Sequence, residues 1–162
     1  MKIISLVGMP NTGKSTTLKK LIVELSGKNG EKLEDVSQAH KCKTFISPQK
    51  KDLLFDLEKS DGDFFAKIKY KTLYIGIATA GDTAWDIEHK LEYLKDCDIF
   101  ICASRESGES YGYIEKLKKI YTLVKVHKIG CIGNKVDNKY RVLTKHSEEL
   151  ALVEIIKHLE DN

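Results

Sequence analysis

The chain has 162 residues, with 27 basic and 24 acidic side chains, a net charge of +3 and 41% apolar residues. That length suits a single domain spanning residues 1–162, with a core large enough to need no disulfide or metal staple. The near balance of charge gives no case for nucleic acid as a partner, and no run of 18 apolar residues offers a membrane span. Cys42, Cys97, Cys102 and Cys131 make no C-x-x-C pair, and His40 with Cys42 alone does not make a zinc site. Cys102 and Cys131 fall in apolar strand-like runs, and such buried free thiols, with the lack of a signal-peptide layout, predict a cytoplasmic protein.

The first element is the apolar run Ile3-Ile4-Ser5-Leu6-Val7, which reads as a central parallel strand. It runs directly into Gly8-Met9-Pro10-Asn11-Thr12-Gly13-Lys14-Ser15-Thr16. The glycines, the lysine and the hydroxyl at this spacing fit the phosphate-loop pattern with no mismatch. Leu18, Leu21, Ile22 and Leu25 then recur at helical spacing, so residues 14 to 26 predict a helix, ended by Gly27 and Gly30. The chemistry needs this order. Backbone N–H groups of the loop can curl around phosphate oxygens, and the helix start adds its partial positive charge. Gly13 permits unusual backbone angles, the Lys14 ammonium can span β- and γ-phosphates, and the Ser15 hydroxyl can ligate magnesium. On these residues the chain resembles the P-loop NTPase superfamily. The resemblance implies a nucleoside triphosphate, ATP or GTP, bound with Mg2+.

Residues 28 to 50 are polar, Lys-rich and without period, which predicts a loop. Residues 51 to 58 read either as a strand, from Leu53, Phe55 and Leu57, or as a short helix opened by Ser47-Pro48. After an Asp61-Gly62 turn, alternation at Phe64, Ala66, Ile68 and Tyr70 and again at Leu73, Ile75 and Ile77 predicts an antiparallel hairpin closed by Lys71-Thr72. Ala84, Ile87, Leu91 and Leu94 predict a helix, and residues 98 to 103 a buried strand. A helix follows near 110 to 121, then one or two strands within 123 to 132. Ala151, Ile155 and Leu159 predict a final helix with Ser147 as its N-cap. Alternating strands and helices predict an α/β fold. It has three layers: a mostly parallel sheet with one antiparallel hairpin, and helices on both faces. In such sheets ligands sit beyond the carboxyl ends of the strands, where residues 8 to 15 fall.

Two further stretches resemble small GTPases of the Ras type. Ala78-Thr79-Ala80-Gly81 stands where that family has Asp-x-x-Gly, whose Gly contacts the γ-phosphate; Gly81 is kept and the magnesium Asp is replaced by Ala78. Asn134-Lys135-Val136-Asp137 matches Asn-Lys-x-Asp, whose Asp reads guanine; the alternative is a polar turn after a strand. No Ser-Ala-Lys base loop follows, and Thr44 is the only candidate switch threonine. Asp82 is the best substitute for the missing acid, with Thr79 able to add a hydroxyl; it is equally suited to cap the next helix. Asp98 precedes its strand and so falls at the wrong edge of the sheet. Arg105 follows the strand that ends near Ala103, so it is either a cis arginine that stabilises the transferred phosphoryl group or an ordinary loop charge.

The expectation is a magnesium-dependent NTP-binding protein, a slow ATPase or GTPase or a nucleotide switch. Lys14, Asp82 and Arg105 would be the catalytic residues, and Ser15 and Asp82 the metal ligands. Residues 8 to 16 with Gly81, Asn134, Lys135 and Asp137 would hold the nucleotide. The sparse acidic set leaves room for a protein partner that completes the site. A small-molecule or nucleotide kinase is the alternative, weakened by there being only two arginines, Arg105 and Arg141. A non-catalytic nucleotide-binding regulatory module is the other.

Overall fold

In the computed structural model, residues 1–27, 31–34, 65–128 and 138–161 are described. The readings at residues 47 to 62, Thr44, Cys42, Cys131, Asn134, Lys135 and Asp137 lie outside them.

The described elements are β1 (Lys2–Val7), α1 (Lys14–Gly27), β2 (Glu31–Glu34), β3 (Phe65–Tyr70), β4 (Leu73–Ala78), α2 (Ala84–Tyr93), β5 (Ile99–Ser104), α3 (Glu109–Leu117), β6 (Thr122–His127) and α4 (Asn138–Glu160). They build an α/β protein around one mixed sheet of order β2-β3-β4-β5-β1-β6. β1 pairs in parallel with β5 and β6, and β4 with β5, while β2, β3 and β4 run antiparallel to one another in turn.

Ile3, Ile4, Leu6 and Val7 are fully buried, as a strand covered on both faces requires. The predicted helical stripe of α1, Leu18, Leu21, Ile22 and Leu25, is buried with them. The hairpin forms at the predicted register, with Tyr70 opposite Leu73. Lys71 takes the left-handed φ of 55° that lets two residues turn the chain. Cys97 and Cys102 are buried thiols; desolvation pushes the Cys102 pKa up to about 12, so it stays protonated and inert.

Three readings of boundaries are corrected. Glu31–Glu34, expected as loop, is an edge strand on β3, interrupted by a bulge. An edge strand pairs through its backbone and needs no apolar period. The helix expected near 110 to 121 ends at Leu117, and Tyr121 N–H closes a turn onto the Leu117 carbonyl. The last helix begins at Asn138, so Ser147 lies inside it and is not its N-cap. The polar run from Thr144 to Glu149 separates its first turns from Ala151, Ile155 and Leu159, which hid them from a periodicity argument.

α1 packs with α4, and α2 with α3. The steps β4–α2–β5 and β5–α3–β6 run one way along the sheet, whereas α1 leads from β1 back towards the far edge. Right-handed crossovers therefore put α1 on the face opposite α2 and α3. β1 and β5 are neighbours whose following segments leave to opposite faces, the topological switch point at which open α/β sheets form clefts.

Candidate functional site

The end of β1 fixes what surrounds the β1–α1 loop. Val7 pairs with Ser104 of β5 on one side and with His127 of β6 on the other. The first residues beyond those three strands are Gly8, Arg105 and Lys128, at one level of the sheet edge. Gly8 N–H donates to the Ser104 carbonyl at 3.2 Å, and Lys128 N–H donates to the Val7 carbonyl at 2.8 Å. A Cβ on Gly8 would lie 2.7 Å from the Lys128 carbonyl oxygen, so only glycine fits there. Beneath the loop, Ser5 and Ser104 share a buried hydroxyl–hydroxyl hydrogen bond of 2.8 Å that ties β1 to β5.

Asn11 and Gly13 both take left-handed backbone angles, φ of 60° and 79°. Left-handed residues alternating with ordinary ones turn successive N–H groups to one side, which makes an anion-binding concavity. The loop is braced from within. Thr12 Oγ1 donates to the Met9 carbonyl at 2.9 Å, and Thr17 Oγ1 to the Gly13 carbonyl at 3.0 Å. The Lys14 ammonium lies back over the loop and donates to the carbonyls of Gly8 and Met9, each at 2.8 Å. Burial holds its pKa below the ordinary lysine value, Asp82 opposing that shift and Arg105 adding to it. Ser15 Oγ donates to the Thr79 carbonyl at 3.2 Å and so joins α1 to the end of β4.

A cleft of about 580 Å3 opens at this point. Of the residues singled out in the sequence it brings together Pro10, Asn11, Thr12, Gly13, Lys14, Ser15, Thr79, Gly81, Asp82 and Arg105, and it adds Ala80 and Ala103. Gly8 and Met9 carry the loop without lining the cleft, and Thr16 is exposed on the first turn of α1, also outside the lining. Ala78 is fully buried in the core, paired with Cys102 of β5, so the cleft begins one residue after it. Gly81 is packed so closely on β5 that a Cβ there would stand 1.8 Å from the Ala103 carbonyl oxygen.

Asp82 and Arg105 face each other across the cleft mouth, Arg105 Nε donating to Asp82 Oδ1 at 3.0 Å. That hydrogen bond holds the Asp82 carboxyl below its usual range, against a smaller opposing effect of burial. Capping of α2 falls to Thr83: its hydroxyl accepts from Asp86 N–H, and the Asp86 carboxylate accepts from Thr83 N–H, a complete capping box. Asp82 is thereby left to the cleft. Asp98 accepts from Tyr74 N–H at the start of β4, at the opposite edge of the sheet.

Sequence reasoning missed Lys128. It is 1% exposed, and its Nζ has no hydrogen-bond partner among the described residues. The signal was present as a lysine directly before the apolar Ile129 to Ile132. No family model matches the chain, and no curated protein or solved structure matches it either.

Proposed function

We propose that this protein binds a magnesium-complexed nucleoside triphosphate in the cleft at the end of β1, and either hydrolyses it slowly or uses it as a switch. One observation above all supports the reading. The loop between a strand buried from Ile3 to Val7 and α1 carries two left-handed residues, Asn11 and Gly13, with a buried lysine folded over it. Strand, nest and helix start are what anion binding needs, and the residue types match a β- and γ-phosphate site. The Lys14 ammonium, held on two carbonyl oxygens, would exchange them for phosphate oxygens with little movement.

The donor set suits a hard divalent cation: the Ser15 hydroxyl and the Asp82 carboxylate both border the cleft, and oxygen ligands from protein and phosphates are what magnesium takes. When bound, magnesium supplies neutralisation of charge on the transferred phosphoryl group. In the structure Asp82 is engaged by Arg105. Arg105 meets Asp82 through Nε, so its terminal nitrogens would be the donors toward phosphoryl oxygens, with Asp82 beside them as the acidic ligand for the cation. With Asp82 the one acid lining the cleft among the described residues, and that acid engaged, the cleft fits slow turnover or a state switch completed by a protein partner.

Calorimetric titration of Mg·ATP and Mg·GTP tests the reading, with phosphate release followed in the absence of any acceptor. In Lys14→Ala the affinity falls about 10- to 100-fold, since a charge-assisted hydrogen bond contributes about 1.5–3 kcal/mol. Unchanged affinity for both nucleotides in that variant would overturn it.

A further inference from the structure

We propose that Lys128 is a second cationic element of the anion site, acting on bound phosphate through its field from behind the loop rather than from within the cleft. The inference rests on the reading of that loop as a triphosphate site.

A lysine this deep is rare, because an ammonium taken out of water carries a large desolvation penalty unless something offsets it. The other buried lysines show the usual answer. Lys14 donates to two carbonyls, and Lys90 pairs with Asp86 at 3.5 Å. Lys128 has no such partner among the described residues, and the carboxylate nearest in charge terms, Glu148, is engaged by Lys20 across the α1–α4 contact. Its backbone is locked to β1 through the Val7 carbonyl and closes over Gly8.

What lies against the side chain is the loop itself. The Lys128 Cε is 3.6 Å from the point where a Cβ on Gly13 would stand. A charge with no hydrogen-bond partner among the described residues is thus packed on the residue whose left-handed φ shapes the nest. Burial lowers its pKa, Glu148 opposing and Lys20 reinforcing, so an anion in the loop would favour its charged form. A charge acting at this range through protein scales with the charge of the ligand and is indifferent to the base.

The test uses the whole chain and the isosteric, neutral Lys128→Met. Thermal unfolding without ligand is followed by calorimetric titration of tripolyphosphate, pyrophosphate, orthophosphate and Mg·ATP. The expected result is an unchanged or raised melting temperature, because a buried charge with no hydrogen-bond partner among the described residues has been removed. Tripolyphosphate affinity falls about tenfold, with progressively smaller losses for pyrophosphate and orthophosphate. A lowered melting temperature with unchanged affinities assigns Lys128 to packing and overturns the inference, as does a loss that ignores ligand charge. If the Met variant does not fold, Lys128→Gln carries the same titration, and the same two results support or overturn the role. Should Lys14→Ala lose binding while Lys128→Met keeps it, only the role of Lys128 fails. If the wild-type chain binds no triphosphate, both readings fail together.

Discussion

Gly81→Ala separates a packing role for this glycine from a contact with ligand. The new methyl carbon would stand 1.8 Å from the Ala103 carbonyl oxygen and 2.5 Å from its carbon. Ordinary van der Waals contact is about 3.5 Å or more, so the atoms must separate by well over 1 Å. The obstacle is β5 backbone, which cannot rotate away as a side chain tip can, and Ala103 lies within the parallel pairing of β5 with β1. Overpacking a tight site costs about 1–3 kcal/mol and occasionally more, and a backbone clash this deep falls at the upper end, about 3 kcal/mol. For a chain of this size that lowers the melting temperature by roughly 6–12 °C. The measurement is thermal and urea unfolding with no nucleotide or magnesium present, so that no ligand contact contributes. Gly112→Ala serves as the comparison: it lies in α3 with no atom within 4 Å of the added carbon, and it gains up to about 1 kcal/mol from helix propensity. A ligand-free Gly81→Ala as stable as wild type would refute the packing argument and return Gly81 to a role in ligand contact alone.

Two further outcomes follow from the cleft rim. Thr83→Ala removes the capping box of α2 and lowers stability by about 1 kcal/mol in urea unfolding, while Asp82→Ala leaves helix content unchanged; a larger helix loss in the Asp82 variant would reassign the cap. Arg105 holds the Asp82 carboxyl low, so the ion pair stabilises the fold above the unfolded carboxyl pKa and that contribution fades as pH falls through the lower folded value. In Arg105→Ala the Asp82 carboxyl midpoint, followed by carbon-detected NMR, moves up towards the ordinary range; an unmoved midpoint would show that the hydrogen bond is not its cause.

Much of the molecule is legible in local pattern. The Ile3-to-Val7 run, the stripe of α1 and the alternating hairpin each form where their apolar spacing puts them, because burial periodicity is a property of contiguous residues. The edge strand at Glu31–Glu34 and the first turns of α4 escape that logic, since an edge strand pairs through its backbone and the polar run from Thr144 to Glu149 interrupts the period of α4. The competing roles weighed for Asp82 show a different limit. Capping and cleft binding both suit an aspartate before a helix, and only the observed partners, Thr83 with Asp86 and Asp82 with Arg105, separate them.

The sequence by itself determined the strand–loop–helix unit at residues 2 to 27, since its glycines, lysine and apolar stripe are contiguous and act through their own backbone. Strand order was decided by the tertiary structure. Placing β5 and β6 on either side of β1 brings Arg105 and Lys128 to the two flanks of the loop, leaves Ala78 in the core and presses Gly81 onto Ala103. Burial patterns say that a strand is covered, not which strand lies beside it. Pairs such as Asp82 with Arg105 and Lys128 with Gly13 therefore exist only once the crossovers have chosen their faces.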